Sequence, residues 1–127
     1  MLELLAPAGN LDAVIAAVQN GADAVYMGFG DGFNARRSAD NFTRESFAKA
    51  VRYCHIRGCK VYVTLNTLVG DREMESAAAL AQQASDAGAD AILVQDLGLA
   101  RVLRAALPDI PLHASTQMSI HNLAGVE

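Results

Sequence analysis

The stretch Asn20-Gly21-Ala22-Asp23-Ala24-Val25-Tyr26 decides the fold of this chain, because its pattern returns twice. It recurs closely as Ala87-Gly88-Ala89-Asp90-Ala91-Ile92-Leu93 and more loosely as Arg57-Gly58-Cys59-Lys60-Val61-Tyr62-Val63. Glycine closes a helix in the left-handed conformation without a Cβ penalty, and the apolar run that follows suits a strand buried on both faces. Each copy therefore predicts the end of a helix followed by the start of a strand.

The other elements are predicted outward from these three joints. The glycines are 37 and 30 residues apart, which is the length of a strand-helix unit. Strands are predicted at about residues 2–6, 24–27, 60–65, 91–94 and 111–115. Helices are predicted between an Asn10 cap and Gly21, between a Thr43 cap and Gly58, and over 71–87, 97–107 and 119–127.

Strands that alternate with helices predict an α/β fold with a parallel sheet, either an open doubly wound sheet or a (β/α)8 barrel. No G-x-G-x-x-G motif follows the first predicted strand, which favours the barrel. A complete barrel takes about 250 residues. Five strands occupy all 127 residues. We therefore expect residues 1–127 to form one partial TIM-barrel-like domain, the N-terminal portion of a longer protein.

The composition is that of a globular protein, with 52% hydrophobic and 19% charged residues. No apolar run approaches the roughly 18 residues that span a bilayer, and the start does not read as a secretory signal. We expect a cytoplasmic protein without a membrane partner. Two cysteines, Cys54 and Cys59, are too few for a disulfide framework, and their C-x4-C spacing favours a structural role over a metal site.

The charge is unevenly distributed along the chain. Residues 36–60 carry seven Lys or Arg against two acids, whereas the whole chain has a net charge of −4. A local basic segment can meet phosphate. Because half of it reads as an amphipathic helix, a solvated helix face is the favoured interpretation.

Candidate binding residues follow the predicted strands, because reacting groups in parallel α/β folds collect at the carboxyl ends of the strands. Their amide, phenol and guanidinium groups suit a small polar or anionic ligand. Arg36 and Arg37 are either a bidentate anion clamp or ordinary surface residues. The predicted binding residues are Asn10, Tyr26, Arg36, Arg37, Asn66, Gln95 and Gln117.

Two residues are weak catalytic candidates, Asp96 and Ser115. Asp96 is the one carboxylate directly after these strands, and it either acts chemically or caps the helix that starts at Leu97. Ser115 shares a strand face with His113, but no third group completes a triad, and His113 reads equally well as a packed core residue. No zinc or iron-cluster ligand spacing occurs, so no metal site is expected within this chain.

Seven stretches, taken in order, give the chain a resemblance to the peptidase U32 family, the collagenase-like proteases. The stretches are 3–10, 21–28, 33–36, 41–42, 60–67, 90–96 and 113–117. The resemblance implies a (β/α)8-like region in a longer bacterial protein. It also implies a peptidase, historically with collagen as substrate.

Other members of that family take part in hydroxylation of bases in ribosomal or transfer RNA, or of a quinone precursor, and carry an iron-sulfur cluster on cysteines. Those cysteines lie later than the segment seen here, and neither Cys54 nor Cys59 matches them. The resemblance thus leaves two reactions open, proteolysis and RNA-base hydroxylation, with a peptide or RNA as partner of the full-length protein. A third alternative is a non-catalytic half-barrel that binds a small anion.

The edges of a partial barrel also predict self-association. An unpaired edge strand pairs readily with another chain. We expect the isolated fragment to be inactive and to form a homo-oligomer through its exposed sheet edges.

Overall fold

Five parallel strands lie side by side in chain order in the computed structural model, which describes residues 2–33, 35 and 41–126. The order β1-β2-β3-β4-β5 has no reversal, whereas a doubly wound sheet reverses its strand order at a switch point. The predicted barrel-like α/β architecture is therefore confirmed. The strands are β1 Leu5–Pro7, β2 Ala24–Gly28, β3 Lys60–Leu65, β4 Ala91–Val94 and β5 Leu112–Ala114.

Four helices connect these strands: α1 Leu11–Gln19, α2 Arg44–Ile56, α3 Met74–Asp86 and α4 Leu97–Ala106. Three of them begin at a side chain that accepts a hydrogen bond from the first turn, which satisfies an otherwise unpaired amide. The caps are Asn10 for Ala13 N, Thr43 for Ser46 N and Asp96 for Leu99 N. The predicted caps at Asn10 and Thr43 are confirmed.

The three repeated joints share one geometry at the ends of α1, α2 and α3. Each glycine has a positive φ, +90° at Gly21, +71° at Gly58 and +100° at Gly88. In each joint the residue after the glycine donates its amide to a carbonyl five residues back, the bond of a Schellman motif. These bonds are Ala22 N to Ala17 O at 3.1 Å, Cys59 N to Cys54 O at 3.0 Å and Ala89 N to Ala84 O at 3.0 Å.

The aspartates of the two close copies tie neighbouring strands together. Asp23 Oδ2 accepts from Leu4 N at 2.8 Å, and Asp90 Oδ2 accepts from Val61 N at 2.7 Å. Each carboxylate thus accepts a hydrogen bond from the amide at the start of the preceding strand, and this amide would otherwise lack a partner. The repeat therefore sets strand register as well as helix ends.

The main core lies between the helices and the outward-facing side chains of the strands. Phe47 of α2 is fully buried there, and its ring centroid is 4.7 Å from that of Phe29. Truncation of such a residue to alanine costs about 3–5 kcal/mol. The opposite, inner face of the sheet carries a separate small cluster of Ala24, Tyr62 and Ala91. Side chains that alternate between two faces thus separate the packing surface from the surface that holds the candidate site.

One predicted element is wrong. Instead of the fifth helix predicted over 119–127, the chain forms short 3-10 turns at Thr116–Met118 and Leu123–Gly125. Ser115 and Asn122 cap these turns, and Ser119 between them takes a φ of +56°, which is not helical. In α3, whose apolar pattern predicts Met74, Ala78 and Ala81 as inward residues, Ala81 is buried together with Ala77 and Ala84, and Met74 and Ala78 pack partly buried against the core. Among the described residues, no helix has the length and apolarity to cross a membrane.

Candidate functional site

A cavity of about 460 Å³ opens on the inner face of the sheet, toward the carboxyl ends of the strands. It brings together three of the predicted binding residues and one predicted catalytic candidate, and it adds Thr64 and His113. The side chains that matter for its chemistry are Tyr26, Thr64, Asn66, His113, Ser115 and Gln117.

The strand register explains why these residues meet. Thr64 pairs with Leu93, and Leu93 pairs with His113, so these residues form one row across β3, β4 and β5. Tyr26 lies one row below, paired with Tyr62. Residues two apart on a strand share a face, which places both rows on the inner surface.

Asn66 connects the loops at the cavity rim. Its Nδ2 donates to Ser115 Oγ at 3.3 Å, and its Oδ1 accepts from Ala35 N at 3.2 Å. An amide group has two protons and two lone-pair positions, and the contacts of Asn66 with other described residues use one of each.

Ser115 is buried, with 6% of its surface exposed, and acts as a hydrogen-bond acceptor. Its Oγ accepts hydrogen bonds from Asn66 Nδ2 and from Gln117 N, both at 3.3 Å. A serine nucleophile needs a base that takes its proton. Within residues 2–33, 35 and 41–126, no histidine or carboxylate is hydrogen-bonded to Ser115. The geometry thus gives Ser115 a structural role at the rim, and nucleophilic action stays a prediction.

His113 and Tyr62 form an edge-to-face ring pair below the cavity, with centroids 4.9 Å apart at 79°. Tyr62 Oη donates to both oxygens of Glu3 at 2.9 Å. Burial, together with the hydrogen bond and charge of Glu3, raises the pKa of Tyr62 to about 12. Tyr62 is therefore a neutral donor at physiological pH.

Sequence reasoning left Tyr62 and Glu3 out of the site and treated His113 as an equally plausible core residue. The signal that could have found them is the alternation on β3, since Tyr62 and Thr64 share the inner face. The partner of Tyr62 lies 59 residues away in sequence, and only the sheet brings it near.

A second cavity of about 540 Å³ adjoins the first and is lined in part by Gln95, Asp96, Leu97 and Gln117. Gln117 lines both cavities, and its carbonyl accepts a 3.4 Å hydrogen bond from Gln95 Nε2. The two predicted binding residues thus lie at the boundary between the cavities.

Both carboxylate oxygens of Asp96 accept hydrogen bonds from backbone amides. Oδ1 accepts from Leu99 N at 2.8 Å and Oδ2 from Val69 N at 3.3 Å. The helix-cap alternative for Asp96 is confirmed, and its catalytic role stays a prediction.

The remaining predicted binding residues lie away from these cavities or outside the described chain. Asn10 is committed to the cap of α1 and lines neither cavity. Arg36 and Arg37 lie outside the described residues, so the predicted anion clamp stays a prediction.

Cys54 and Cys59 occupy the contact positions of the second Schellman motif, where the other two copies have alanine pairs. Both thiols are free and buried. Burial raises the pKa of Cys54 to about 12 and also raises that of Cys59, which disfavours the thiolate that a metal ligand needs. These two thiols do not fit an iron-sulfur cluster. Across the described ranges, no group of three or more His, Cys, Asp or Glu is arranged to hold a metal ion.

Comparison with known proteins identifies the family. The family model described as Peptidase family U32 matches residues 9–127. The chain belongs to peptidase family U32. This confirms the resemblance seen in the sequence.

Curated relatives of this U32 chain have names from both reaction classes. It is 43% identical over 122 residues to the 23S rRNA 5-hydroxycytidine C2501 synthase of Escherichia coli, and 38% identical over 125 residues to tRNA hydroxylation protein P1 of Bacillus subtilis. It is also 36% identical over 121 residues to the Collagenase of Porphyromonas gingivalis. These alignments cover 96%, 98% and 94% of the chain but 18%, 29% and 28% of the relatives. The U32 chain thus spans less than a third of the length of these relatives.

Solved structures similar to the U32 chain are TIM-barrel enzymes. A phosphonopyruvate hydrolase matches with a TM-score of 0.59 at 20% identity, and a DHDPS from Cyanidioschyzon merolae with 0.57 at 14% identity. Each match covers 87% of this chain and 44% of the other. At these identities the likeness concerns the fold alone.

Proposed function

We propose that this chain supplies a nucleobase-binding cavity to a U32 protein that hydroxylates a base in ribosomal or transfer RNA. The observation that carries the proposal is the chemistry of the inner-face cavity. Among the residues that the structure describes, its polar groups are amides, hydroxyls and an imidazole beside the ring of Tyr26, without a carboxylate. An unstacked base is recognised by hydrogen bonds to its edge and by contact with aromatic rings.

The cavity has a size and composition that suit such a ligand. Its volume of about 460 Å³ falls within the range of about 300–1,000 Å³ of small-molecule sites. The side-chain amide of Asn66, a donor and an acceptor in one group, matches the mixed donor and acceptor edge of a pyrimidine. The names of the two hydroxylation relatives support the same reaction class.

Proteolysis is the second candidate, supported by the similarity to the Porphyromonas gingivalis Collagenase. The described contacts of Ser115 do not favour it, because its hydroxyl oxygen accepts a hydrogen bond in both of them and donates its proton to no base there. A peptidase built on this chain would need a nucleophile or activated water from elsewhere in the protein.

The non-catalytic anion-binding alternative has less support from the described residues. Three of the cations between residues 36 and 60 already have partners. Lys49 lies 2.7 Å from Glu45, Lys60 lies 3.7 Å from Glu3, and the Arg57 guanidinium lies over the Tyr53 ring. This arrangement agrees with the solvated helix face expected for much of that segment.

The test is deletion of the gene that encodes this chain in its host. Nucleosides from 23S rRNA and tRNA are then analysed by mass spectrometry. The proposal expects one hydroxylated pyrimidine to disappear and to return with a plasmid copy. An unchanged set of hydroxylated nucleosides would overturn it. Gelatin cleavage by the purified protein that is abolished by Ser115→Ala would support proteolysis instead.

A further inference from the structure

We propose that His113 contacts the ligand of the inner-face cavity directly, and that Tyr62 and Glu3 are positioning residues that orient its imidazole. The inference rests on the proposed function and deepens it, because it names a base-contacting group. Neither the sequence pattern nor the names of the relatives assign a role to these three residues.

His113 is placed to reach a ligand in the cavity. It lies on β5 in the same row as Leu93 and Thr64, and its side chain is half-buried and lines the cavity. A neutral imidazole has one donor and one acceptor nitrogen. The ring can therefore contribute a hydrogen bond to a heterocycle in the cavity while its other face packs against protein.

Tyr62 supports the His113 ring from below. Tyr62 lies on β3 with 4% of its surface exposed and meets the His113 ring edge to face. Aromatic pairs prefer this geometry, which restricts how the imidazole rotates. Tyr62 itself is fixed at its far end, because its hydroxyl donates to both oxygens of Glu3 at 2.9 Å.

The charged groups near Tyr62 and His113 include Glu3 and Lys60. Lys60 Nζ lies 3.7 Å from Glu3 Oε2 and holds the carboxylate at the amino-terminal end of the sheet. Tyr26 on β2 lines the cavity together with His113. Lys60 and Glu3 thus lie below Tyr62, and the described residues that line the cavity with His113 are uncharged. A chain of contacts runs from Glu3 through Tyr62 to His113 and ends at the ligand space.

The experiment measures binding of cytidine and uridine to the purified protein by titration calorimetry, together with the imidazole nuclear magnetic resonance signals of His113. We expect the nucleoside that binds to shift those signals. His113→Phe keeps a ring against Tyr62 but has no hydrogen-bonding nitrogen, so it should weaken the affinity about tenfold, the loss of one hydrogen bond to a ligand. Tyr62→Phe keeps the ring contact but releases Glu3, so a smaller loss, about threefold, is expected.

His55→Phe is the matched control, because His55 lies on α2 and lines neither cavity, with its Nε2 2.8 Å from Asp90 Oδ2. It should bind nucleoside as the wild type does. Unchanged affinity in His113→Phe, with unshifted His113 signals in the wild type, would overturn the inference and leave the proposed function standing. Absence of nucleoside binding to the wild type would also overturn the inference. The proposed function fails separately, if gene deletion leaves host RNA unchanged.

Discussion

The side-chain amide of Asn66 lies 3.3 Å from the hydroxyl of Ser115, across 49 residues of sequence. This hydrogen bond joins the loop after β3 to the turn after β5. The other end of the same amide accepts from Ala35 N in the connection after β2. One side chain therefore fixes the rim of the cavity from three sides.

Replacement of Asn66 is expected to weaken ligand binding. Asn66→Ala removes both rim contacts and should lower nucleoside affinity by about five- to tenfold, or about 1 kcal/mol. Titration calorimetry with the nucleoside that binds checks this. Asn20→Ala is the matched control, because Asn20 lies at the end of α1, where its Nδ2 donates to Ala16 O. Equal affinities of the two variants would contradict a role for Asn66 in the site.

The repeated glycines predict an order of stabilities. Gly21→Ala forces a side chain into a φ of +90° with open space around it, which costs about 1–2 kcal/mol. Gly88→Ala adds a contact of 3.0 Å between the new Cβ and Val51 Cγ1, so it should cost more. Gly9→Ala, with no atom within 4 Å and no positive φ, is the control. Urea unfolding should rank the losses Gly88, Gly21, Gly9, and any other order would refute the account of the joints.

The buried thiol predicts a loss of stability at alkaline pH. The pKa of Cys54 rises from 9.0 to about 12 on folding, so the unfolded chain releases this proton first. The free energy of unfolding should therefore fall as pH rises from about 9 to about 12. Tyr62, with its pKa raised from 10.0 to about 12, adds to the fall.

Cys54→Ala isolates the thiol, because the equivalent positions of the other two joints are Ala17 and Ala84. Urea unfolding at about pH 8 and about pH 10.5 should show a smaller decrease for this variant than for the wild type. The same decrease in both would exclude Cys54 as a cause.

The sheet edges predict self-association. Among the described strands, β1 pairs only with β2, and β5 pairs only with β4. Because Ser115 N donates to Val94 O, the amide of Ala114 points the other way, toward the open edge. Light scattering should show dimers of the wild type at high concentration and fewer with Ala114→Pro, which blocks edge pairing. A wild-type protein that stays monomeric would contradict this expectation.

Local signals made most of the fold predictable. Gly21, Gly58 and Gly88 each provide the left-handed residue at a helix end, and Asn10 and Thr43 each cap a helix through an amide three residues away. Such chemistry depends on neighbours in sequence, so it can be read without the tertiary structure. The barrel-like order followed from the alternation of elements.

The site was less predictable, because its contacts cross the sheet. The Asn66–Ser115 and Tyr62–Glu3 bonds depend on strand register and on which face each side chain takes. The predicted fifth helix failed for a different, local reason. Ser115 and Asn122 cap short turns there, and Ser119 breaks the helical path with its positive φ.

The central claim is that the inner-face cavity binds a nucleobase. The most direct test is to add cytidine, uridine and a glycine-proline peptide separately to the isotopically labelled protein and to map the shifted resonances. The account predicts that a nucleoside shifts the signals of Tyr26, Asn66, His113 and Gln117, and that the peptide leaves them unchanged. Shifts caused only by the peptide, or nucleoside shifts confined to residues outside the cavity, would contradict it.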